Sequence, residues 1–201
     1  MLEFLTGSAL AASAGLNAYI PLLLLGLGSR FTELVDLPSN WAWLGNEWVL
    51  GILALLLVFE VIADKIPGLD SVNDVIQTVV RPTAGGLAFG SGTTATTVAV
   101  TDPAAFFSSN QWVPIATGVV IALAIHLAKL SVRPLANAMT AGIAAPILST
   151  VEDASSAVIS ILAILAPIIA ILLLAIAIVL FVRWIARLRY RRAAAMPASS
   201  P

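Results

Sequence analysis

The chain has 201 residues, of which 60% are hydrophobic and only 10% charged, and its mean hydropathy is +1.01. A soluble domain carries about 25% charged residues, so this chain lacks the polar surface to cover a water-facing fold. The net charge of -1 hides an asymmetry, because five of the ten bases lie between Arg183 and Arg192, and the absence of cysteine excludes disulfides, thiolate metal sites and cysteine nucleophiles. Several apolar runs reach the roughly 18 to 20 residues needed to cross about 30 Å of hydrocarbon. The composition therefore predicts an all-α fold, a polytopic membrane helical bundle of about six segments.

The start, MLEFLTGSALAASAGL, has an acid and no basic n-region, so it does not read as a cleaved signal peptide. The first apolar segment runs from about Leu5 to Gly28 and contains Ser13-Ala14-Gly15, Asn17, Tyr19 and Pro21. Two readings stay open for it: a packing helix kinked at Pro21, or a broken helix whose freed carbonyls line a polar cavity with Asn17. In the loop that follows, Trp41, Trp43 and Trp48 resemble an interfacial belt. Val49 to Ala63 forms a second span, and after a Pro67-Gly68 turn a third segment covers about Asp70 to Val100. The second half of that segment is rich in Gly and Thr and suits burial among other helices. A short loop with Asp102-Pro103 leads to Val113–Leu130, whose far end carries His126 and Lys129.

Arg133-Pro134 is predicted to open a short segment, LANAMTAGIAAPILST, that is either a buried short helix or part of a re-entrant loop. Glu152-Asp153 closes it, and Ser155 to Trp184 is the longest apolar helix, interrupted at Pro167. Residues 1–192 form one membrane domain, and the tail 193–201 reads as disordered. The basic run near the C-terminus acts as a topology anchor that also touches anionic lipid. It puts the C-terminus in the cytoplasm, and six crossings counted back put the N-terminus there too. On that count Lys65, Lys129 and Arg133 are cytoplasmic, while the Trp-rich loop, Asp102 and Glu152-Asp153 lie outside. A weak echo links Ser13-Ala14-Gly15, Thr83-Ala84-Gly85 and Thr140-Ala141-Gly142, which suggests three repeated hairpins.

The densest polar stretch is Phe59 to Leu87, FEVIADKIPGLDSVNDVIQTVVRPTAGGL. Read as a helix from Asp70, the residues Asp70, Asp74, Gln77 and Arg81 recur at helical spacing on one face, with Asn73 beside them. Charges in hydrocarbon cost roughly 2.5 to 3.5 kcal/mol each on insertion scales, so they are seldom left there without a task. Glu60 and Asp64 share a helical face, with Asp70 and Asp74 across the turn. These four carboxylates are candidate ligands for a divalent cation or members of a proton relay. Their other reading places Asp64, Lys65 and Asp70 in the headgroup region, where charge is inexpensive.

Arg81 is expected to bridge to Asp74 or Glu60. If it instead faces a cavity with Lys129 and Arg133, the three form an anion site, helped by helix N-termini after each Arg-Pro pair. His126, the only histidine, is a candidate titrating group, although a lone His near a helix end is more often packed. Glu152-Asp153 reads as a capping pair rather than a cation access site. No zinc set, G-x-S-x-G elbow, Walker or dinucleotide motif is present, no resident cofactor is expected, and nothing supports a nucleic-acid role.

Four stretches together resemble a known family: SAGLNAYIPLLLLGL from Ser13, WAWLGNEW from Trp41, FEVIADKIPGLDSVNDVIQTVVRPTAGGLAFGS from Phe59 and APILSTVEDASSA from Ala145. The family is the uncharacterised bacterial integral-membrane group catalogued as domain of unknown function forty-one twenty-six. The resemblance implies a compact multi-span protein and supplies no catalytic residues.

Function is therefore read from the residues. The expectation is a small transporter or channel of the plasma membrane with a mixed-charge pathway open to the cytoplasmic side. Asn17, Glu60, Asp64, Asn73, Asp74, Gln77, Arg81, His126, Lys129, Arg133 and Asn137 line it. Its cargo is an ion or an anionic or phosphorylated solute or lipid, its solvent is the lipid bilayer, and a homo-oligomer is compatible. The alternatives are a lipid-modifying intramembrane enzyme using the carboxylates and a divalent metal, or an assembly subunit.

Overall fold

Asn17 decides the start of the fold. The computed structural model describes residues 2–66, 68–93, 112–140 and 143–194. Helix α1 (Leu2–Leu16) ends one residue before Asn17, and α2 (Tyr19–Phe31) begins two residues after it. The Asn17 side-chain oxygen accepts from the backbone N–H of Tyr19 at 3.0 Å and of Ile20 at 3.2 Å, satisfying two donors that a new helix leaves open. Pro21 falls in the first turn of α2, where its missing N–H removes no helical bond.

The chain reverses at this break. Gly7 of α1 lies against Phe89 and Thr93, and Gly15 against Ala122 and Ile125, so α1 runs down the bundle. Gly26 of α2 lies against Leu44 and Leu50, back at the other end. The first apolar segment is thus a helical hairpin with Asn17 at its tip, rather than one kinked or broken crossing. The carboxamide that stops one helix also starts the next.

A 3-10 helix (Ser39–Gly45) carries Trp41 and Leu44 into the core and leads into α3 (Glu47–Ala63), with a 60° bend between the two. α4 (Leu69–Gly92) returns beside α1. α5 (Trp112–Thr140) and α6 (Ala144–Leu165) follow, and α7 (Pro167–Ala194) completes the order after a break at Ala166. Among the described residues there is no strand. Pro67, the loop with Asp102-Pro103, the predicted segment beyond Thr93 and the tail from residue 195 lie outside them.

α5 runs straight through Arg133-Pro134, so the predicted short segment does not exist as a separate element. Likewise α4 continues through Pro82. An interior proline removes one hydrogen bond and crowds the preceding turn. Both prolines follow an arginine held by ion pairs to neighbouring helices, and those contacts outweigh the local preference to break. Glu152-Asp153 consequently lies in the body of α6 rather than at a boundary.

The bundle is apolar outside and polar within. Ile52, Leu55, Val58 and Phe59 of α3 and Val72, Val75, Ile76 and Val79 of α4 are exposed, as are many large side chains of α7. The core is built of small residues, with Ala9, Ala14, Ala84, Ala88, Ala163 and Ala170 fully or nearly buried. Such residues let helix backbones approach closely. Ser13 of α1 stitches onto α6, its Oγ donating to the Ser156 carbonyl at 2.8 Å and lying 2.6 Å from Ser160 Oγ. Two helices, Trp112–Pro134 and Ala144–Leu165, are long and apolar enough to cross a membrane, and the bent pair Ser39–Gly45 with Glu47–Ala63 makes a third. α4 has the length for a crossing, but Asp70, Asp74 and Arg81 interrupt its apolar composition.

The small-residue echo does not mark equivalent positions. Ser13-Ala14-Gly15 ends just before the tip of α1, whereas Thr83-Ala84-Gly85 lies in the middle of α4. Thr140 ends α5, and Ala141-Gly142 lie outside the described residues.

Candidate functional site

The end of α3, the first half of α4 and the bodies of α5 and α6 bring the polar residues together. Glu60 lies in the last turn of α3, and Asp64 follows as its C-terminal cap. Gly68, at φ 95°, reverses the chain, a conformation available to glycine at little cost. The Asp70 carboxylate accepts from the Gly68 N–H at 2.9 Å and so secures the turn. Along α4, Asp70, Asp74, Gln77 and Arg81 then face inward, all at most 7% exposed, while Val75 and Val79 face outward. On α5, His126, Lys129 and Arg133 share the opposing face at intervals of three and four. α6 contributes Glu152 and Asp153.

These groups form a continuous interhelical charge network. Arg81, wholly buried, lies 2.7 Å from Glu60 and 3.7 Å from Asp64. Lys129 lies 2.7 Å from Glu152 and 3.5 Å from Asp64. Arg133 reaches Asp64 at 2.9 Å, Glu152 at 3.0 Å and Asp74 at 3.2 Å. Asn73 donates to Asp64 at 2.8 Å. At the rim, Asn17 donates to Asp153 at 2.9 Å and Lys65 lies 4.0 Å from the same carboxylate. Taking one partner from such a buried pair costs about 3–5 kcal/mol, because the other charge is left uncompensated.

His126 sits between Arg81 and Thr78. Its Nδ1 is 3.4 Å from an Arg81 nitrogen that can only donate, and its Nε2 is 3.1 Å from Thr78 Oγ1. Thr78 in turn donates to the Asp74 carbonyl at 2.9 Å. The Nε2–H tautomer satisfies every member of that chain. Arg81 also lies 3.5 Å from the Gly15 carbonyl at the end of α1, so the hairpin tip does present a backbone acceptor to the polar core.

Several predicted residues thus converge: Asn17, Glu60, Asp64, Asn73, Asp74, Gln77, Arg81, His126, Lys129 and Arg133 occupy one connected region. The side chain of Asn137 lies outside the described residues. The surroundings differ from expectation in three ways. Arg81 bridges to Glu60, one of its two expected partners, but Lys129 and Arg133 are matched by carboxylates as well, so the three do not form the alternative anion site, and neither Arg-Pro pair precedes a helix N-terminus. Glu152-Asp153 is no helix cap, and it lies beside Lys129 and Arg133 rather than at the opposite end of the bundle. The carboxylates Glu60, Asp64 and Asp74 are interleaved with arginines rather than grouped on their own.

The partners that sequence reasoning missed, Glu152 and Asp153, did carry a signal. Ser149, Asp153, Ser156 and Ser160 recur at spacings of four, three and four, with Glu152 beside Asp153, and so mark a polar inward stripe in a largely apolar helix. Replacing Asn17 with Ala removes the acceptor for two helix-start N–H groups and the bond to Asp153. The expected loss is about 1–2 kcal/mol of stability, read from thermal unfolding in detergent micelles.

Beside the network, between α4 and α5, a cleft of about 430 Å³ is lined by Asp70, Asp74, Val75, Thr78, Leu130, Arg133 and Pro134.

An apolar-surfaced helical bundle closed around buried ion pairs, with two helices long and apolar enough to cross a membrane, is compatible with a membrane protein. The chain belongs to the family described as Domain of unknown function (DUF4126), which it matches over residues 4–187. Searches of the curated proteins and of the solved structures return no match.

Proposed function

We propose that the protein is a small multi-pass membrane transporter in which the interhelical charge network is the gate and the ion-coupling element. The observation that carries this reading is the uneven sharing within the network. Four carboxylates, Glu60, Asp64, Asp74 and Glu152, face three cations, Arg81, Lys129 and Arg133. The odd acid can accept a proton or a small cation. Arg81 and Lys129 each have a near carboxylate and a second one within about an ångström more. Protonating one acid therefore lets a cation change partner through a small side-chain movement, and each exchange alters which helices are tied together. Coupling of this kind needs a bistable element, and a network with alternative pairings at similar distances supplies one. The unpartnered buried atoms Glu60 Oε2, Gln77 Oε1 and Arg81 Nε support it too, since a purely structural network would be expected to satisfy them.

The charged end is assigned to the cytoplasmic side by the positive-inside rule. Lys65, Lys129 and Arg133 gather there, whereas Arg30 at the other end is accompanied by Glu33, Asp36 and Glu47. With α1 and α2 as a hairpin, this orientation puts the Leu2 end of α1 on the outer side, where a single crossing would have put it inside.

The test needs no knowledge of the cargo. On a solid-supported membrane carrying reconstituted protein, a rapid pH step is expected to produce a transient charge displacement in the wild type. Glu60→Gln and Asp74→Asn, checked for folding by circular dichroism, are expected to reduce it severalfold. A wild type that shows no displacement above protein-free liposomes sinks the ion-coupled reading.

A further inference from the structure

The cleft between α4 and α5 opens on the outer surface of the bundle, and its chemistry differs from that of the closed network behind it. Asp74 forms part of its wall and is only 7% exposed. Asp74 Oδ2 is taken by Arg133 at 3.2 Å, but Oδ1 is buried with no hydrogen-bond partner. A buried carboxylate oxygen left unmatched is costly, so the Asp74 carboxylate gains from any donor brought to it. Arg133, on the same wall, has its two terminal nitrogens engaged by Asp64, Asp74 and Glu152, while its Nε is buried and unbonded. Asp74 and Arg133 thus line the cleft as an acid and a base, each with one polar atom, covered just behind the wall, that no protein group engages.

Around these polar atoms the cleft is apolar. Val75 is 72% exposed, Leu130 and Pro134 come from α5, and Val72, Ile76 and Val79 continue the exposed apolar face of α4. A ligand seated here presents a cationic N–H donor and an anionic acceptor to the wall and lays hydrocarbon along α4. Pockets of a few hundred cubic ångströms are the usual size for a group of that kind.

We infer that this cleft is a binding site for an aminophospholipid, with the primary ammonium toward the Asp74 carboxylate and the phosphate toward Arg133, each side chain turning slightly to meet it. The charge balance selects the lipid class. Asp70 and Asp74 line the cleft against one arginine that three carboxylates already share, so a purely anionic headgroup is disfavoured. A quaternary ammonium lacks the N–H that Oδ1 requires. The apolar walls favour a lipid over a free amine, since only the former gains from the exposed α4 face. The inference concerns binding and stands whether or not the network couples ions.

The experiment is native mass spectrometry of the delipidated full-length protein, titrated in turn with phosphatidylethanolamine, phosphatidylcholine and phosphatidylglycerol of identical acyl chains. The ethanolamine lipid is expected to bind about tenfold more tightly than either of the others, a difference of about 1.4 kcal/mol. Val75→Trp, which fills the mouth of the cleft from an exposed position, is expected to abolish the preference while leaving the unfolding temperature unchanged. Asp74→Asn is expected to weaken it as well. Equal retention of the three lipids, tightest binding of phosphatidylglycerol, or a preference that survives Val75→Trp overturns the assignment. Phosphoethanolamine without acyl chains competing as well as the intact lipid would also overturn it, in favour of a soluble amine ligand.

Discussion

Replacing Arg81 with Met is expected to lower the unfolding free energy by about 3–5 kcal/mol, the cost of stranding a buried partner charge. Arg81 is wholly buried and lies 2.7 Å from Glu60, which is itself only 2% exposed. Without the guanidinium, Glu60 keeps its charge in an apolar interior or gives it up, and either course costs stability. Asp64 is less affected, because Lys129 and Arg133 still reach it at 3.5 and 2.9 Å. The double variant Glu60→Leu with Arg81→Met is expected to recover most of the loss, since removing both members of a buried pair is often close to neutral. Reversible unfolding in mixed micelles reads both values. A single-variant loss below about 1 kcal/mol would place the pair in the class of solvated surface bridges.

The second large effect is steric. α4 and α5 cross at Gly85 and Gly118, where each glycine lies against the other's backbone. A Cβ on Gly118 would stand 2.5 Å from the Phe89 Cβ and closer still to the Gly85 carbonyl oxygen. A Cβ on Gly85 would lie 2.8 Å from the Gly118 carbonyl. Backbone atoms cannot rotate aside, so Gly118→Val forces the helices apart. The expected cost is about 1–3 kcal/mol or somewhat more for overpacking. Separation also draws Arg133 of α5 away from Asp74 of α4, so the variant is expected to lose stability and network together. Gly51→Ala is the control: nothing lies within 4 Å of a Cβ there, and the helix is expected to gain about 0.5–1 kcal/mol. A destabilising Gly51→Ala alongside a neutral Gly118→Val would reverse the packing assigned to the two sites.

The polar face of α4 was legible because it is local. Asp70, Asp74, Gln77 and Arg81 lie on one chain segment, and helical spacing alone puts them on one side. Gly68 as a turn was legible for a similar reason, since it follows a proline in a break between apolar runs. Asn17 was recognised as polar and placed at a break, but not as a point of reversal. Its capping role depends on where α2 goes next, and α2 is held back against α3 by contacts such as Gly26 with Leu50. Pro134 misled because its local preference is to end a helix, whereas Arg133 is bonded on three sides to α3, α4 and α6 partners. Glu152-Asp153 misled for the same reason: once the preceding helix was cut short, the pair fell at a false boundary.

By itself the sequence determined an all-helical chain with too few charges for a water-facing surface, and it determined which face of α4 is polar. Those properties follow from composition and from a period of 3.6 residues, and neither needs a neighbour. Tertiary structure alone decided that Arg81 answers Glu60 rather than Asp74, that Lys129 answers Glu152 and that Arg133 binds three acids at once. Charge pairing depends on distances of a few ångströms between residues far apart in the chain, 69 positions for Arg133 and Asp64, and no local pattern encodes such a distance. It also decided that one carboxylate oxygen, Asp74 Oδ1, stays unmatched beside an apolar cleft. That vacancy is a property of how α4 and α5 pack, because Gly85 and Gly118 set the approach of the two helices that form its walls.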